Sequence, residues 1–185
     1  MRGRVLACAV AAALLAARPC AAADDVRAVD VRQSRATFAV QHALVDRVTG
    51  TVPIVAATVR VAADGVTPVA VEAALDARRV DSGDADRDAD LQGPDWFDTK
   101  RFARWTFKST NVAPAGPRAY TIAGVLTLHG TGVPVTLATT LVRGAPDPAY
   151  HAVAHVDRHA FGMTVTRADA LVGTDVTITL DVRTR

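Results

Sequence analysis

The sequence predicts an all-β protein of about eight antiparallel strands, and three observations predict it. Apolar residues recur every second position along most of the chain from residue 26 onward. The runs are joined by short links rich in Gly, Pro and Asp, too short for parallel crossovers. One interval, near 84–103, lacks the pattern and reads as a helical or looped insertion. Eight antiparallel strands with one polar face close into a barrel or pack as a sandwich.

The first element precedes the strands. Residues 1–23 carry Arg2 and Arg4, then an apolar run over 5–17, then Ala21 and Ala23 at the spacing of a cleavage site. That order is the pattern of a secretory signal peptide, and the run is shorter than the ~20 residues of a membrane span. Cleavage after Ala23 would leave 162 of the 185 residues, starting at Asp24. Both cysteines, Cys8 and Cys20, fall in the leader, so the mature domain is expected to hold together through its core alone. The formal charge of +2 becomes −1 once Arg2, Arg4 and Arg18 are removed, a balance that gives no nucleic-acid surface. The expected location is the periplasm.

Strands are predicted near 26–32, 35–42, 47–62, 67–78 and 104–112, and again near 149–157. Tyr120, Ile122, Gly124, Leu126 and Leu128 share one face of a further strand, and Val133, Val135, Leu137, Thr139 and Leu141 one face of the next. Thr174, Val176, Ile178, Leu180 and Val182 face together in the last. Turn chemistry separates them at Asp64-Gly65, at Pro114-Ala115-Gly116-Pro117, at 129–132 and at Pro146-Asp147-Pro148. The inward positions are mostly Val, Ala, Leu and Ile, with aromatics only 5% of the chain. Small inward residues leave room, which favours a cavity over a solid interior.

The insertion opens with six aspartates between Asp84 and Asp98. Laid on a calcium-binding EF-hand loop, a start at Asp84 puts Ala89 where the sharp turn needs Gly, and a start at Asp88 puts Thr99 where a bidentate acid belongs. Asp81-Ser82-Gly83 is a single copy of a motif that aspartic proteases need twice, and it reads more simply as a turn. His151, His155 and His159 are four apart, but His151 and His155 on one strand would lie ~13 Å from each other, too far for one metal. No nucleophile elbow or phosphate-binding loop occurs, so neither catalytic nor metal-ligating residues are assigned, and no cofactor is called for.

Six landmarks in order carry a resemblance. They are "SRATFAVQH" from Ser34, then Gly50, then "VDSGDADRDADLQGPDWFD" from Val80, "WTFKST" from Trp105, "GVLTLHGTGVPVTL" from Gly124 and "DRHAFGM" from Asp157. Over about 30–182 the chain resembles the YceI-like family of secreted polyisoprenoid-binding proteins. It departs from the family pattern at Asp90, at Phe102-Ala103 and at Gly132, which bear on a cavity mouth, and at Val52 and Ile54, which bear on pocket shape. The resemblance implies a lipocalin-like barrel whose interior holds a prenyl lipid, a quinone or a polyprenyl phosphate, without catalysis. It places His42, Arg87, Asp88 and Arg158 near the mouth, and Phe38, Trp96, Phe97, Phe107 and Phe161 along the wall. The acids Asp84, Asp86, Asp88 and Asp90 would be solvated or cap a helix, with Leu91, Trp96 and Phe97 turned inward. A monomer or homodimer with transient membrane contact is expected. The competing reading is a filled barrel acting in stress or adhesion by protein contact; metal binding or proteolysis are minor alternatives.

Overall fold

The computed structural model describes residues 24–43, 46–164 and 171–185. The expected leader, residues 1–23, lies outside the described residues. Ten strands follow in chain order: β1 (Asp25–Ala28), β2 (Arg35–His42), β3 (Asp46–Thr51), β4 (Ile54–Val61), β5 (Pro68–Asp76), β6 (Arg104–Gly116), β7 (Ala119–Leu128), β8 (Thr131–Arg143), β9 (Ala149–Asp157) and β10 (Val172–Arg183). They form one antiparallel sheet in the order β1-β4-β5-β6-β7-β8-β9-β10-β2-β3.

The sheet curls until its edges meet. β5 to β10 are a plain meander in which each strand pairs with the next. β1 and β2 then act as one interrupted line, and β3 and β4 as another. β1 pairs with β4 and β2 with β3, while β2 pairs with β10 and Val29 bridges Thr184 just beyond it. The Asp30 N–H donates to Arg183 O at 2.8 Å and the Val29 N–H to Ala57 O at 3.0 Å, so the first line is bonded on both sides. Counting each interrupted line once gives the eight staves that the alternation predicted.

Several strand boundaries differ from those expected, two of them at prolines. The run at 47–62 breaks at Val52-Pro53, because proline has no N–H to offer the ladder. Val52 still donates to Ala36 O at 3.2 Å, and Ile54 resumes pairing opposite Leu75. The expected turn at 114–117 comes later, since β6 runs on to Gly116 and Pro114 pairs with Tyr120 beside a register shift that accommodates it. By contrast the hairpin at His129-Gly130 is a two-residue loop with φ of 50° and 74°, the left-handed pair that matches strand twist.

The inward faces follow the alternation. Ile122, Leu126, Leu128, Leu137, Leu141, Ala152, Ala154 and Val156 are all buried. One end of the interior is closed by Val29, Val59, Val61, Leu141 and Tyr150, whose hydroxyl donates to Val66 O at 2.8 Å and whose burial pushes its pKa well up. The other end is covered by the insertion, which forms α1 (Ala85–Leu91) followed by turns. Asp84 caps α1 by accepting from the N–H groups of Arg87 and Asp86, and the Arg87 bond chiefly holds its carboxyl below the usual range.

Candidate functional site

Two apolar cavities lie inside the barrel. The lower, of about 100 Å³, is lined by residues from every stave, among them Ile54, Val71, Phe107, Leu137 and Leu180. The upper, of about 70 Å³, lies under the insertion and is lined by Leu91, Trp96, Phe97, Phe161 and Met163, with Arg158 among them. Phe38, Trp105 and Ile178 line both cavities and form the waist between them. Phe97 meets Trp105 edge-on with ring centroids 4.6 Å apart, and Phe38 at 6.4 Å. A larger apolar cavity, of ~150 Å³, stays dry and takes a benzene-sized guest. The empty interior is therefore smaller than a long prenyl chain, and loading one requires the waist to open.

Two glycines set the bore. Gly50 stands opposite Phe38 across the β2–β3 ladder, and a Cβ there would lie 2.4 Å from the ring. A Cβ on Gly124 would lie 2.5 Å from the ring of Phe107 and 2.6 Å from Lys108 O. Each ring lies down on bare backbone instead of standing into the lumen. The glycines thus widen the bore by giving the aromatics somewhere to lie.

All five residues expected along the wall line these cavities: Phe38 both, Phe107 the lower, and Trp96, Phe97 and Phe161 the upper. Of the four expected at the mouth, two share one partner. Arg87 and Asp88 brace α1 against Ser82: Arg87 Nε donates to its Oγ at 2.9 Å, and Asp88 accepts from its N–H at 2.8 Å and its Oγ at 2.6 Å. His42 is half-buried at the end of β2, opposite Asp46 and Val172. Arg158 is only 2% exposed. Its guanidinium donates to the carbonyls of Met163, Val172 and Gly173, and it lies 5.4 Å from the ring centre of Trp96. It clasps the two ends of the link into β10 and ties them to the insertion.

Trp105 is a lumen aromatic not among the expected wall residues. Its signal was present: Trp105 and Phe107 are two apart on one strand and so share a face. Outside the wall, the break at Pro53 leaves a cleft of about 590 Å³ rimmed by Ser34, Arg35, Thr49, Asp81 and Ser82. This cleft and the lower cavity share Ala36, Thr37, Val52 and Ile54 as walls.

These features define a closed antiparallel β-barrel with an apolar interior and a covering insertion. The YceI-like domain profile matches residues 28–184, and the chain belongs to the YceI-like family. A UPF0312 protein of Shewanella putrefaciens is 30% identical over 148 residues, covering 80% of this chain and 78% of its own. One from Vibrio vulnificus is 37% identical over 78 residues, covering 42% and 41%. Among solved structures, Burkholderia cenocepacia BcnA superposes with a TM-score of 0.75 at 24% identity, over 84% of this chain and 98% of its own. A polyisoprenoid binding domain from Saccharophagus degradans, implicated in plant cell wall breakdown, superposes with a TM-score of 0.64 at 12% identity, over 86% and 97%. At such identities the likeness shows the fold.

Proposed function

We propose that this chain is a non-catalytic carrier of a polyisoprenoid lipid, held with its prenyl chain along the barrel axis and working in the periplasm. The observation that carries the reading is the pair of apolar cavities meeting at one waist inside a YceI-like barrel. The polyisoprenoid binding domain of the same fold supports it, and the order of residues in 1–23 supports the location. Burying a five-carbon prenyl unit gains ~4 kcal/mol against water. A lipid drawn from a membrane leaves an apolar place already, so most of that gain cancels. Fit to the bore and a few polar contacts then decide which lipid is kept.

Incubating the protein with liposomes that contain a prenyl quinone, then removing the liposomes, tests the reading. About one quinone per protein in the supernatant is the expected result, and none above a non-binding control protein would contradict it. The small cavity volumes favour a second reading, a filled barrel acting through protein contact. That reading predicts the empty supernatant.

A further inference from the structure

One join of the barrel wall is unbonded over part of its length. The two interrupted lines, β1–β2 and β3–β4, are bonded from Val29 to Ala57 and again from Val52 to Ala36. Among the described residues no backbone hydrogen bond joins 30–35 to 53–56 between them. Residues 53–56 span about 13 Å of extended chain. Both lips of this seam are tied away from each other. On one side the turn at 30–34 is held to β10, where Asp30 N–H donates to Arg183 O and Arg183 N–H to Ser34 Oγ at 3.0 Å. On the other, Pro53 O accepts from the Asp76 N–H at 3.0 Å and Ile54 pairs with Leu75 of β5. Ala36, Val52 and Ile54 stand at the lips; all three are buried, and all three line both the lower cavity and the outer cleft. Parting a bonded pair of strands leaves backbone donors and acceptors unmade. Parting this seam gives up apolar contacts alone.

The cleft outside the seam has the polar groups that the interior lacks. Two of its rim residues are already engaged: Asp81 accepts from the Gly83 N–H at 2.9 Å, and Ser82 Oγ donates to Asp88 at 2.6 Å. The guanidinium of Arg35, exposed at the same rim, makes no hydrogen bond or ion pair with any described residue. Val31, 38% exposed, adds an apolar surface beside it. A charged head group carried into an apolar lumen would lose its water without compensation, whereas in this open cleft it keeps water and gains a cation. Resting on the carrier reading above, we propose that this cleft is the head-group site of an anionic amphiphile and that the seam is its doorway. The tail passes between Ala36, Val52 and Ile54 into the lower cavity while the cover over the upper cavity stays in place. The anionic head remains outside, against Arg35.

The test uses the full chain with Cys8→Ser and Cys20→Ser and one added cysteine, which carries a bulky maleimide label. Thr49→Cys puts the label on the rim of the cleft, and Thr110→Cys puts it on the exposed outer face of β6. Leu171→Cys puts it at the other end, next to Val172 in the wall of the upper cavity. Uptake and release of tritiated geranylgeranyl phosphate are timed by rapid gel filtration. Labelling Thr49→Cys is expected to slow both about tenfold, as a blocked gate does, and labelling the other two to slow neither. Arg35→Gln should weaken the phosphate about fivefold, the upper value for an exposed ion pair, and leave the uncharged alcohol geranylgeraniol unaffected. Unchanged rates after labelling Thr49→Cys would overturn the doorway, and slowing by the label on Leu171→Cys alone would do so and give the entrance to the upper end. Equal effects of Arg35→Gln on phosphate and alcohol would remove the head group from the cleft. Failure of the wild-type chain to bind either probe removes the carrier reading itself, and the inference with it.

Discussion

Replacing Arg158 with methionine is expected to destabilise the protein by about 3 kcal/mol and to lower its Tm by roughly 6–12 °C. Methionine keeps most of the apolar stem but leaves the carbonyls of Met163, Val172 and Gly173 without their shared donor. Each buried acceptor left unmade costs of the order of 1–3 kcal/mol, and partial rehydration of the loop end recovers some of the sum. Arg158→Lys should fall between the two, because an ammonium supplies charge without the planar fork that reaches three carbonyls at once. Thermal melts followed by circular dichroism would check this, and a Tm within about 2 °C of wild type for Arg158→Met would contradict the clasp. The variant should also release bound lipid faster, since the clasp holds the cover over the upper cavity.

The second large effect concerns the bore. Gly50→Ala places a methyl group 2.4 and 2.6 Å from two atoms of the Phe38 ring and 3.0 Å from Asp81 O, so the ring must swing toward the lumen. Overpacking of this kind costs about 1–3 kcal/mol. Here it should also narrow the waist, so lipid uptake falls more than stability does. Gly50→Ala combined with Phe38→Leu should recover both, with a coupling energy of about 1 kcal/mol or more. If the two substitutions simply add, Phe38 does not rest on Gly50 and the bore is set by something else.

The alternation of the chain revealed the staves because each has one wet face and one dry face. β2 and β9 have the limits that periodicity assigned, 35–42 and 149–157. The break at Val52-Pro53 was hidden because apolar residues continue on both sides of it, although the buried positions pass from Gly50 and Ile54 to Val59 and Val61 across a register shift after Ile54. The Pro-Gly run at 114–117 looked like a turn in isolation, yet the register shift in β6 lets Pro114 sit in the strand. The interruption was legible from the missing alternation, while its helical form and the inward Leu91 and Phe97 were implied by the family resemblance. What Arg158 does was not. A charged residue beside Phe161-Gly162 resembles a contact for a lipid head group, whereas its actual partners are backbone carbonyls of residues up to fifteen positions away. Chain folding, not composition, brings those oxygens together. Trp105, by contrast, was within reach of the alternation, two residues before Phe107 on the same face of β6.

On the proposed function, this barrel holds a prenyl lipid inside it. That is tested by native mass spectrometry, with solvent extraction of the same sample, on the chain expressed with residues 1–23 and purified without detergent. The expected result is a complex heavier than the protein by one lipid, with a polyisoprenoid lipid in the extract. A protein of bare polypeptide mass, still bare after incubation with prenyl quinones and polyprenyl phosphates, would contradict it and leave the filled barrel as the reading of this fold.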